Sequence, residues 1–416
     1  MKIRNLSQKT PRFYFIAIGV LYLYFVALLH WLVIRLSNPQ FIPDLLAPQS
    51  NTPFFQPGPR FSDFFQILYA SRYASPYKYQ KATNYPQGAL LIARLLGFFH
   101  GWVALALYVS ICLGIISAVI WSIHSLPKLA KFALVLSYPI MYAVDRGNFD
   151  LICVALILLS VSISEYRPAL AGCLIGIAIA AKIWPAIFML ALLRQPKFRT
   201  LLFSCATTVL TFVAAGVLVF GGSPLVFLSA ASAPSAAVGL TGFAASTNLR
   251  TLVALAGSVV SGHGLSATQH FASQPLTLVI RGAVGLYLIT MTIINERLSQ
   301  RLLAAGLFIL LIPSSTSTYM VGCLLAPLVV LFTDTTHRYE PNWWFTICWI
   351  LVLGPTSFWY VPGGGNLNTE SFLVPGALLV LSVSVYRPTH FARTSRKSRS
   401  EGNPHSKLIN FWGPPT

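Results

Sequence analysis

Acidic side chains are scarce in this sequence: Asp and Glu account for 10 of its 416 residues. Charged residues of both signs make up 9% of the chain, whereas soluble domains carry roughly 25%. This shortage excludes an ordinary soluble domain. The hydrophobic content of 55% and the mean hydropathy of +0.68 indicate an integral membrane protein.

The sequence also lacks the spacings that are typical of metal and disulfide sites. Its six cysteines are scattered through apolar runs, and we interpret them as small core residues. They are Cys112, Cys153, Cys173, Cys205, Cys323 and Cys348. No acidic pair suggests a bound metal, so we expect metal-independent chemistry without a cofactor.

Apolar runs of about 20 residues recur along the chain, and each is long enough to cross a bilayer. Backbone groups in lipid must bond within their own segment, so these runs predict helices. The predicted fold is all-α, a polytopic transmembrane bundle of about twelve helices over residues 1–386, followed by a basic tail at 387–416. Predicted helices include Phe13–Leu36, Gly101–His124, Phe132–Val144, Asn148–Ser162, Ala169–Ala181, Ala186–Leu193, Leu201–Phe220, Leu276–Ile294, Leu302–Ile312, Tyr319–Phe332, Trp343–Tyr360 and Phe372–Val385.

The net charge of +19 follows the membrane pattern rather than that of a nucleic-acid-binding protein. Lys and Arg collect at the ends of the apolar runs and in the tail, where an anionic cytoplasmic leaflet attracts them. We therefore expect membrane lipids and no nucleic acid as neighbours. Four basic residues before the first helix predict cytoplasmic termini and an external segment at Ser37–Tyr85.

The acid of greatest interest in this external segment is Asp63. Apolar side chains at Phe61, Phe64, Phe65 and Leu68 predict a short interfacial helix whose stripe lies in the membrane surface. Asp63 falls on its polar side, where it could act as a general base for a hydroxyl group. The alternative is an acid that merely favours a first helical turn. Asp44 is the competing acid, and its irregular surroundings are more typical of a turn.

The same segment is rich in tyrosines and cations. Tyr77 and Tyr85 belong to an aromatic cluster that could stack on sugar rings or could form an interfacial belt. Four cations, Arg60, Arg72, Lys78 and Lys81, depart from the positive-inside trend, which favours either an anionic ligand such as phosphate or solvated charges.

Two internal motifs add further candidates. In AVDRGNFD, Gly147 is expected to open a helix whose free N–H groups meet an anion, with Arg146 and Asn148 beside it. A tight capped turn is the alternative. In AAKIWPAIF, Lys182 interrupts an apolar stretch shortly before Pro185. A lysine at this depth predicts a contact with phosphate. The alternative is a side chain that snorkels to the membrane surface.

A third motif, STNLR, contributes Asn248 and Arg250. Alone it indicates no more than a helix cap followed by a charge.

Taken in order, these motifs resemble the GT-C membrane glycosyltransferases, most closely family 87. The stretches that carry the resemblance are SDFFQILYASRYASPY with NYPQGALL, then DRGNFDLICVALILLSVSISEYRPALAGCLIGIAIAAKIWPAIFMLALL, then STNLR. The sequence departs from the family after Pro313, where STSTYMVG stands in place of a tryptophan-histidine stretch.

The resemblance implies an inverting glycosyltransferase in a bacterial inner membrane that uses a polyprenyl-phosphate sugar, with mannose as the family default. Asp63 is then the catalytic base. Lys182, Arg146 and Arg250 bind the donor phosphate, and Tyr85, Tyr77, Asn148 and Asn248 bind substrate. The acceptor is a glycolipid or a glycan on the extracytoplasmic face.

Other classes of function remain open. A membrane transporter or flippase would also explain an intramembrane lysine, although its charged site usually lies near the bilayer midplane between repeats. A glycan polymerase or ligase, or a scaffold without activity, is also compatible with the composition.

Overall fold

The computed structural model describes residues 10–37, 61–73, 76, 85–221, 248–260, 275–313, 318–333, 343–356 and 370–385. Within these ranges the regular structure is entirely helical, which confirms the predicted all-α class. The basic tail, Asp44, Tyr77 and the cations Arg60, Lys78 and Lys81 lie outside the described residues.

The first half of the described chain contains ten α-helices and one short 3₁₀ turn, Trp184–Ala186. They are α1 (Thr10–Ser37), α2 (Ser62–Ala70), α3 (Gln87–Leu96), α4 (Gly101–Trp121), α5 (Lys128–Val135), α6 (Tyr138–Arg146), α7 (Asp150–Ile163), α8 (Pro168–Ala181), α9 (Ile187–Ala191) and α10 (Phe198–Phe220).

The second half of the described chain contains six α-helices and a second 3₁₀ segment, Thr318–Leu324. They are α11 (Leu249–Val260), α12 (Pro275–Ile294), α13 (Leu298–Leu311), α14 (Leu325–Thr333), α15 (Trp343–Leu353) and α16 (Glu370–Ser384).

Three of the described helices are long and apolar enough to cross a membrane by themselves: α4, α10 and α12. Eight further apolar helices in the described ranges are shorter, at 10–17 residues. These helices mark the chain as a membrane protein. A helix of 14 residues, such as α8, is about 21 Å long and does not match a hydrocarbon core of about 30 Å. The number twelve therefore stays a prediction.

Several predicted segments have a different form in the structure; the helix predicted over Trp343–Tyr360, for example, ends at Leu353. Instead of one helix over Phe132–Val144, α5 ends at Val135 and α6 begins at Tyr138. Pro139 in the first turn of α6 cannot continue the preceding helix, and the Tyr24 hydroxyl of α1 donates to the Leu136 carbonyl at the corner at 2.9 Å. The predicted helix Tyr319–Phe332 begins as a 3₁₀ segment and becomes α-helical at Leu325.

Small residues bring α8 against α10. A Cβ atom on Gly172 would lie 2.2 Å from the Leu201 carbonyl oxygen, and one on Gly176 would lie 2.7 Å from Thr208 Cβ. Glycines four residues apart are typical of close helix packing in membranes. Since Gly172 meets Leu201 and Gly176 meets Thr208, the two helices run in the same direction.

The cysteines behave as predicted. All six are free thiols; Cys173 is partly buried and the other five are buried.

Candidate active site

Helix α2 places Asp63 at the edge of the helical core. Phe64 and Ile67 are completely buried, and the Phe64 ring packs 5.4 Å from that of Tyr108 on α4. Phe65 meets Trp102 of the same helix, with ring centroids 5.0 Å apart. The prediction of a short helix is thus confirmed, but its stripe packs against protein and not in the membrane surface. The large apolar area available on α4 explains the difference.

The chain enters α2 through an unusual backbone conformation. Phe61 has φ 57° and ψ 19°, the left-handed region that bulky residues seldom occupy. Its N–H donates to the carbonyl oxygen of Asp145 on α6 at 2.8 Å. This bond connects the start of α2, and with it Asp63, to the end of α6.

Helix α6 ends at Gly147 in a Schellman turn. The N–H of Gly147 donates to Val144 at 3.0 Å and that of Asn148 donates to Ala143 at 2.9 Å, while Gly147 has φ 62°. The expectation that Gly147 opens a helix with free N–H groups is therefore wrong: it closes one, and its N–H is bonded. A Cβ atom there would lie 2.6 Å from Phe64 Cβ, so glycine also permits the close approach of α2.

Asn148 connects the Asp63 carboxylate to the start of α7. Its side-chain Nδ2 donates to Asp63 Oδ2 at 2.6 Å, and its Oδ1 accepts from the Asp150 backbone N–H at 2.8 Å. The Tyr108 hydroxyl donates to the Asn148 carbonyl at 2.7 Å. Because Asn148 is only 1% exposed and bonded on each side, its amide holds the Asp63 carboxylate in a fixed orientation.

Asp150 is the member of the site that sequence reasoning missed. It begins α7 and is 1% exposed. The Trp184 indole N–H donates to its Oδ1 at 2.6 Å, and Lys182 Nζ lies 3.6 Å from its Oδ2. The available signal was its spacing, two residues after Asn148, in a chain where each acid is costly to bury.

Lys182 lies where α8 stops. Its backbone is extended, with φ −150° and ψ 143°, and the 3₁₀ turn that contains Pro185 follows. This break turns the side chain out of the helix direction, towards Asp150. The ammonium nitrogen also lies 4.3 Å from the centre of the Tyr85 ring, a cation–π distance. The Lys182 side chain keeps 23% of its surface exposed, so a ligand can reach it.

Tyr85 lies within electrostatic range of the two carboxylates. It is 8% exposed, and burial raises the pKa of its phenol well above the usual value. The carboxylates of Asp63 and Asp150 raise the pKa further, and a hydrogen bond with Asn148 acts in the opposite direction. The phenol therefore stays protonated at neutral pH. We name Asp63, Tyr85, Asn148, Asp150 and Lys182 the Asp63–Lys182 network.

Arg146 borders the network. Its Nε lies 3.9 Å from Asp145 Oδ2, and its guanidinium carbon lies 5.4 Å from the centre of the Tyr142 ring. Asp63 is close enough to contribute to the electrostatic environment of Arg146. The structure thus brings Arg146 together with Asp63, Tyr85, Asn148 and Lys182.

Asn248 and Arg250 stand at the start of α11. Asn248 is fully buried, and its Oδ1 accepts from the Thr251 N–H at 3.0 Å, as a helix cap does. Arg250 lies in electrostatic range of Arg281 on α12. The described contacts therefore give Asn248 a capping role and place Arg250 near a second cation.

The arrangement can perform acid–base chemistry. A partly exposed carboxylate is oriented by an amide, and an ammonium group is oriented by a second carboxylate. Such an arrangement suits a reaction in which one group accepts a proton while the other meets a developing negative charge. Among the described residues no group of three or more His, Cys, Asp or Glu side chains could hold a metal ion.

The comparison with protein families agrees with this chemistry. The model described as glycosyltransferase family 87 matches residues 83–315, more than half of the 416 residues. The matched range contains all members of the Asp63–Lys182 network except Asp63, which precedes it. No curated protein matches the chain. From the extent of the family match we conclude that this chain belongs to glycosyltransferase family 87.

Proposed function

We propose that the protein transfers a single sugar, with mannose as the first candidate, from a polyprenyl-phosphate donor to a hydroxyl group of a glycolipid or glycan. The observation that carries the proposal is the continuous network from Asp63 through Asn148 and Asp150 to Lys182. It supports a site in which a base and a cation serve the same reaction. The family match supports group transfer rather than transport.

In this proposal Asp63 is the general base. Asn148 engages Oδ2, and Oδ1 receives the longer contact of 3.5 Å from the Ser62 hydroxyl. Oδ1 is therefore the better placed oxygen to take a proton from the acceptor. A good general base contributes about 10²- to 10⁴-fold to a rate.

The reaction proceeds by displacement at the anomeric carbon. The acceptor oxygen forms a bond to this carbon while its proton passes to Asp63. The bond between the anomeric carbon and the phosphate oxygen breaks, and polyprenyl phosphate leaves with the electron pair. Because attack and departure occur on opposite faces, the anomeric configuration inverts.

Lys182 and Arg146 stabilise the charge that develops on the leaving phosphate. The separation of 3.6 Å between Lys182 Nζ and Asp150 Oδ2 exceeds the 2.7–2.9 Å of a tight charge-assisted bond. An ammonium group has three donors, so the ion pair with Asp150 orients Lys182 without using them all. Arg250 is the candidate for a later phosphate contact, and Tyr77 and Asn248 are candidates for substrate contacts.

Tyr85 and Asn148 are assigned positioning roles. The buried Tyr85 ring faces the Lys182 ammonium group, and the buried Asn148 amide holds Asp63. Both residues are contiguous with the site, so their loss would alter the geometry of the base and the cation.

The proposed location is the extracytoplasmic side of a bacterial inner membrane, with both termini cytoplasmic. The basic residues before α1 support this orientation by the positive-inside rule. A polyprenyl-phosphate donor would then enter between helices from the lipid and present its sugar to Asp63.

The decisive experiment is transfer by purified protein from a panel of polyprenyl-phosphate sugars, with Asp63→Asn beside the wild type. The asparagine side chain has the same shape and can still accept the bond from Asn148, so folding and donor binding should persist. We expect turnover to fall by about 10²- to 10⁴-fold.

Glu165→Gln is the matched control, because Glu165 is an exposed acid at the far end of α7. It should retain full turnover. Substantial residual turnover by a folded Asp63→Asn protein would remove Asp63 from the role of base, and no transfer from any donor of the panel would reject the donor class.

A further inference from the structure

A second polar cluster lies at the opposite end of α8 from Lys182. Helix α10 runs parallel to α8, so Arg194, just before α10, lies near the Pro168 end. Buried apolar residues confirm this placement, because Met189 and Leu192 pack with Ile163 and Ala171. With a rise of 1.5 Å per residue, α8 separates the two ends by about 20 Å.

The cluster is formed where α12 connects to α13. Leu298, the first residue of α13, packs against the same apolar group. Arg194 is in electrostatic range of Arg301 in the second turn of α13. Asn295 and Arg297 precede the helix, and Arg297 and Arg301 are four residues apart, on one helical face. We name Arg194, Asn295, Arg297 and Arg301 the Arg301 cluster.

Buried donors in this cluster have no acceptor. Arg301 is 4% exposed, yet its Nε and Nη1 atoms are shielded from solvent and make no hydrogen bond. The Arg297 Nε and Asn295 Nδ2 atoms are also shielded from solvent and make no hydrogen bond. Burying an unpaired charge is expensive, and nearly all buried polar groups in proteins are bonded. The unpartnered atoms in this part of the described structure are all donors, so the missing partner is an acceptor.

The local charge favours an anion. Arg167, Lys197 and Arg199 surround this end of the molecule, and the acids near it, Glu165 and Glu296, are exposed. The first turn of α13 adds backbone N–H groups and the positive end of a helix dipole. Arginine forks and a helix N-terminus together are typical of phosphate recognition.

Apolar surface beside the cluster favours a lipid as the source of the phosphate. Leu193, Ile293 and Ile294 are 37%, 39% and 51% exposed. Lipid chains can cover such side chains while the head group meets the arginines. Ile293 and Ile294 end α12, which is long and apolar enough to cross a membrane, so the cluster lies where lipid head groups can reach it.

We propose that the Arg301 cluster binds a phosphate group, that of an anionic phospholipid, at the end of the molecule opposite the Asp63–Lys182 network. The site is independent of the proposed glycosyl transfer. Its ligand would stabilise the contact between α13 and the segment that ends at Arg194.

The test uses the full-length protein in nanodiscs of phosphatidylcholine alone or mixed with phosphatidylglycerol. Because a ligand that binds the folded state raises its stability, we expect phosphatidylglycerol to raise the melting temperature of the wild type by roughly 2–4 °C. A third arm adds inorganic phosphate to phosphatidylcholine nanodiscs at matched ionic strength.

Arg301→Met should lose most of this gain, and Arg199→Met, an exposed arginine at the same end, should keep it. A gain with inorganic phosphate that Arg301→Met abolishes supports the phosphate site and assigns it to a soluble ligand. Three results would overturn the proposal. They are an equal rise in melting temperature for the wild type and Arg301→Met, an equal reduction of that rise in Arg301→Met and Arg199→Met, and no rise in any arm. Should Arg301→Met not fold, Arg297→Met takes its place with the same expectations.

Discussion

At the Ala181 end of α8 the buried charges have partners, whereas at the Pro168 end buried arginine donors have none. Asp150 is as deeply buried as Arg301, but it accepts a hydrogen bond from Trp184 and faces the Lys182 ammonium group. In the Arg301 cluster the buried atoms without a hydrogen bond are all donors. The first site is thus preorganised by the protein itself, whereas the second, on our proposal, is completed by a ligand.

Of these substitutions, removing the Asp150 side chain should destabilise the Asp63–Lys182 network most. Asp150→Ala leaves the Trp184 indole N–H without its acceptor and Lys182 without its counter-charge, so we expect a loss of about 3 kcal/mol in the free energy of unfolding. Thermal or denaturant unfolding measures it. Asp150→Asn keeps an acceptor for Trp184 and should lose less. Equal losses for the two substitutions would show that the indole bond contributes nothing.

Gly147→Ala tests whether the turn positions the base. The left-handed φ and the approach of 2.6 Å to Phe64 Cβ predict a loss of about 2 kcal/mol in the free energy of unfolding, together with lower turnover because α2 must move. Gly114→Ala is the control, since a Cβ there meets nothing within 4 Å. A Gly147→Ala protein as stable and as active as Gly114→Ala would contradict the close approach.

Lys182→Met tests whether Lys182 binds the donor phosphate while Asp63 serves the acceptor. Losing one charge-assisted contact with the donor phosphate should raise the KM for the donor about tenfold, with little change in the KM for the acceptor. Steady-state kinetics with each substrate varied in turn would show this. An unchanged donor KM would exclude the phosphate contact.

Arg301→Met should have the smallest effect. In phosphatidylcholine alone the substitution removes an unpaired buried charge and keeps most of the apolar volume, so stability should change by less than about 1 kcal/mol or increase. Unfolding in the same nanodiscs as above measures it. A loss as large as that of Asp150→Ala would mean that Arg301 is paired within the protein, and the contrast between the two ends would disappear.

The helical class and the main site residues could be predicted from the sequence because membrane chains are strongly patterned. Asp63, Asn148 and Lys182 were conspicuous as polar residues beside or within apolar runs, and the structure brings them together. Their roles in catalysis remain predictions.

Contacts between distant segments could not be predicted. Asp150 is an acid in a first helical turn, a position that a helix dipole alone explains, and its bond to Trp184 joins segments 34 residues apart. The role of Gly147 could not be predicted either, because glycine suits either end of a helix. The bonds from Gly147 N–H to Val144 and from Asn148 N–H to Ala143 show that it closes α6. The break at Leu136, by contrast, was readable from the sequence, because Pro139 inside the predicted helix Phe132–Val144 cannot continue the preceding helix.

The backbone bond from Phe61 to Asp145 has a consequence for which substitutions the junction of α2 and α6 tolerates. Because the bond joins a main-chain N–H to a main-chain carbonyl, replacing the side chain of Asp145 leaves both bonding groups in place. Phe61→Pro, in contrast, removes the N–H and with it the bond that fixes the start of α2.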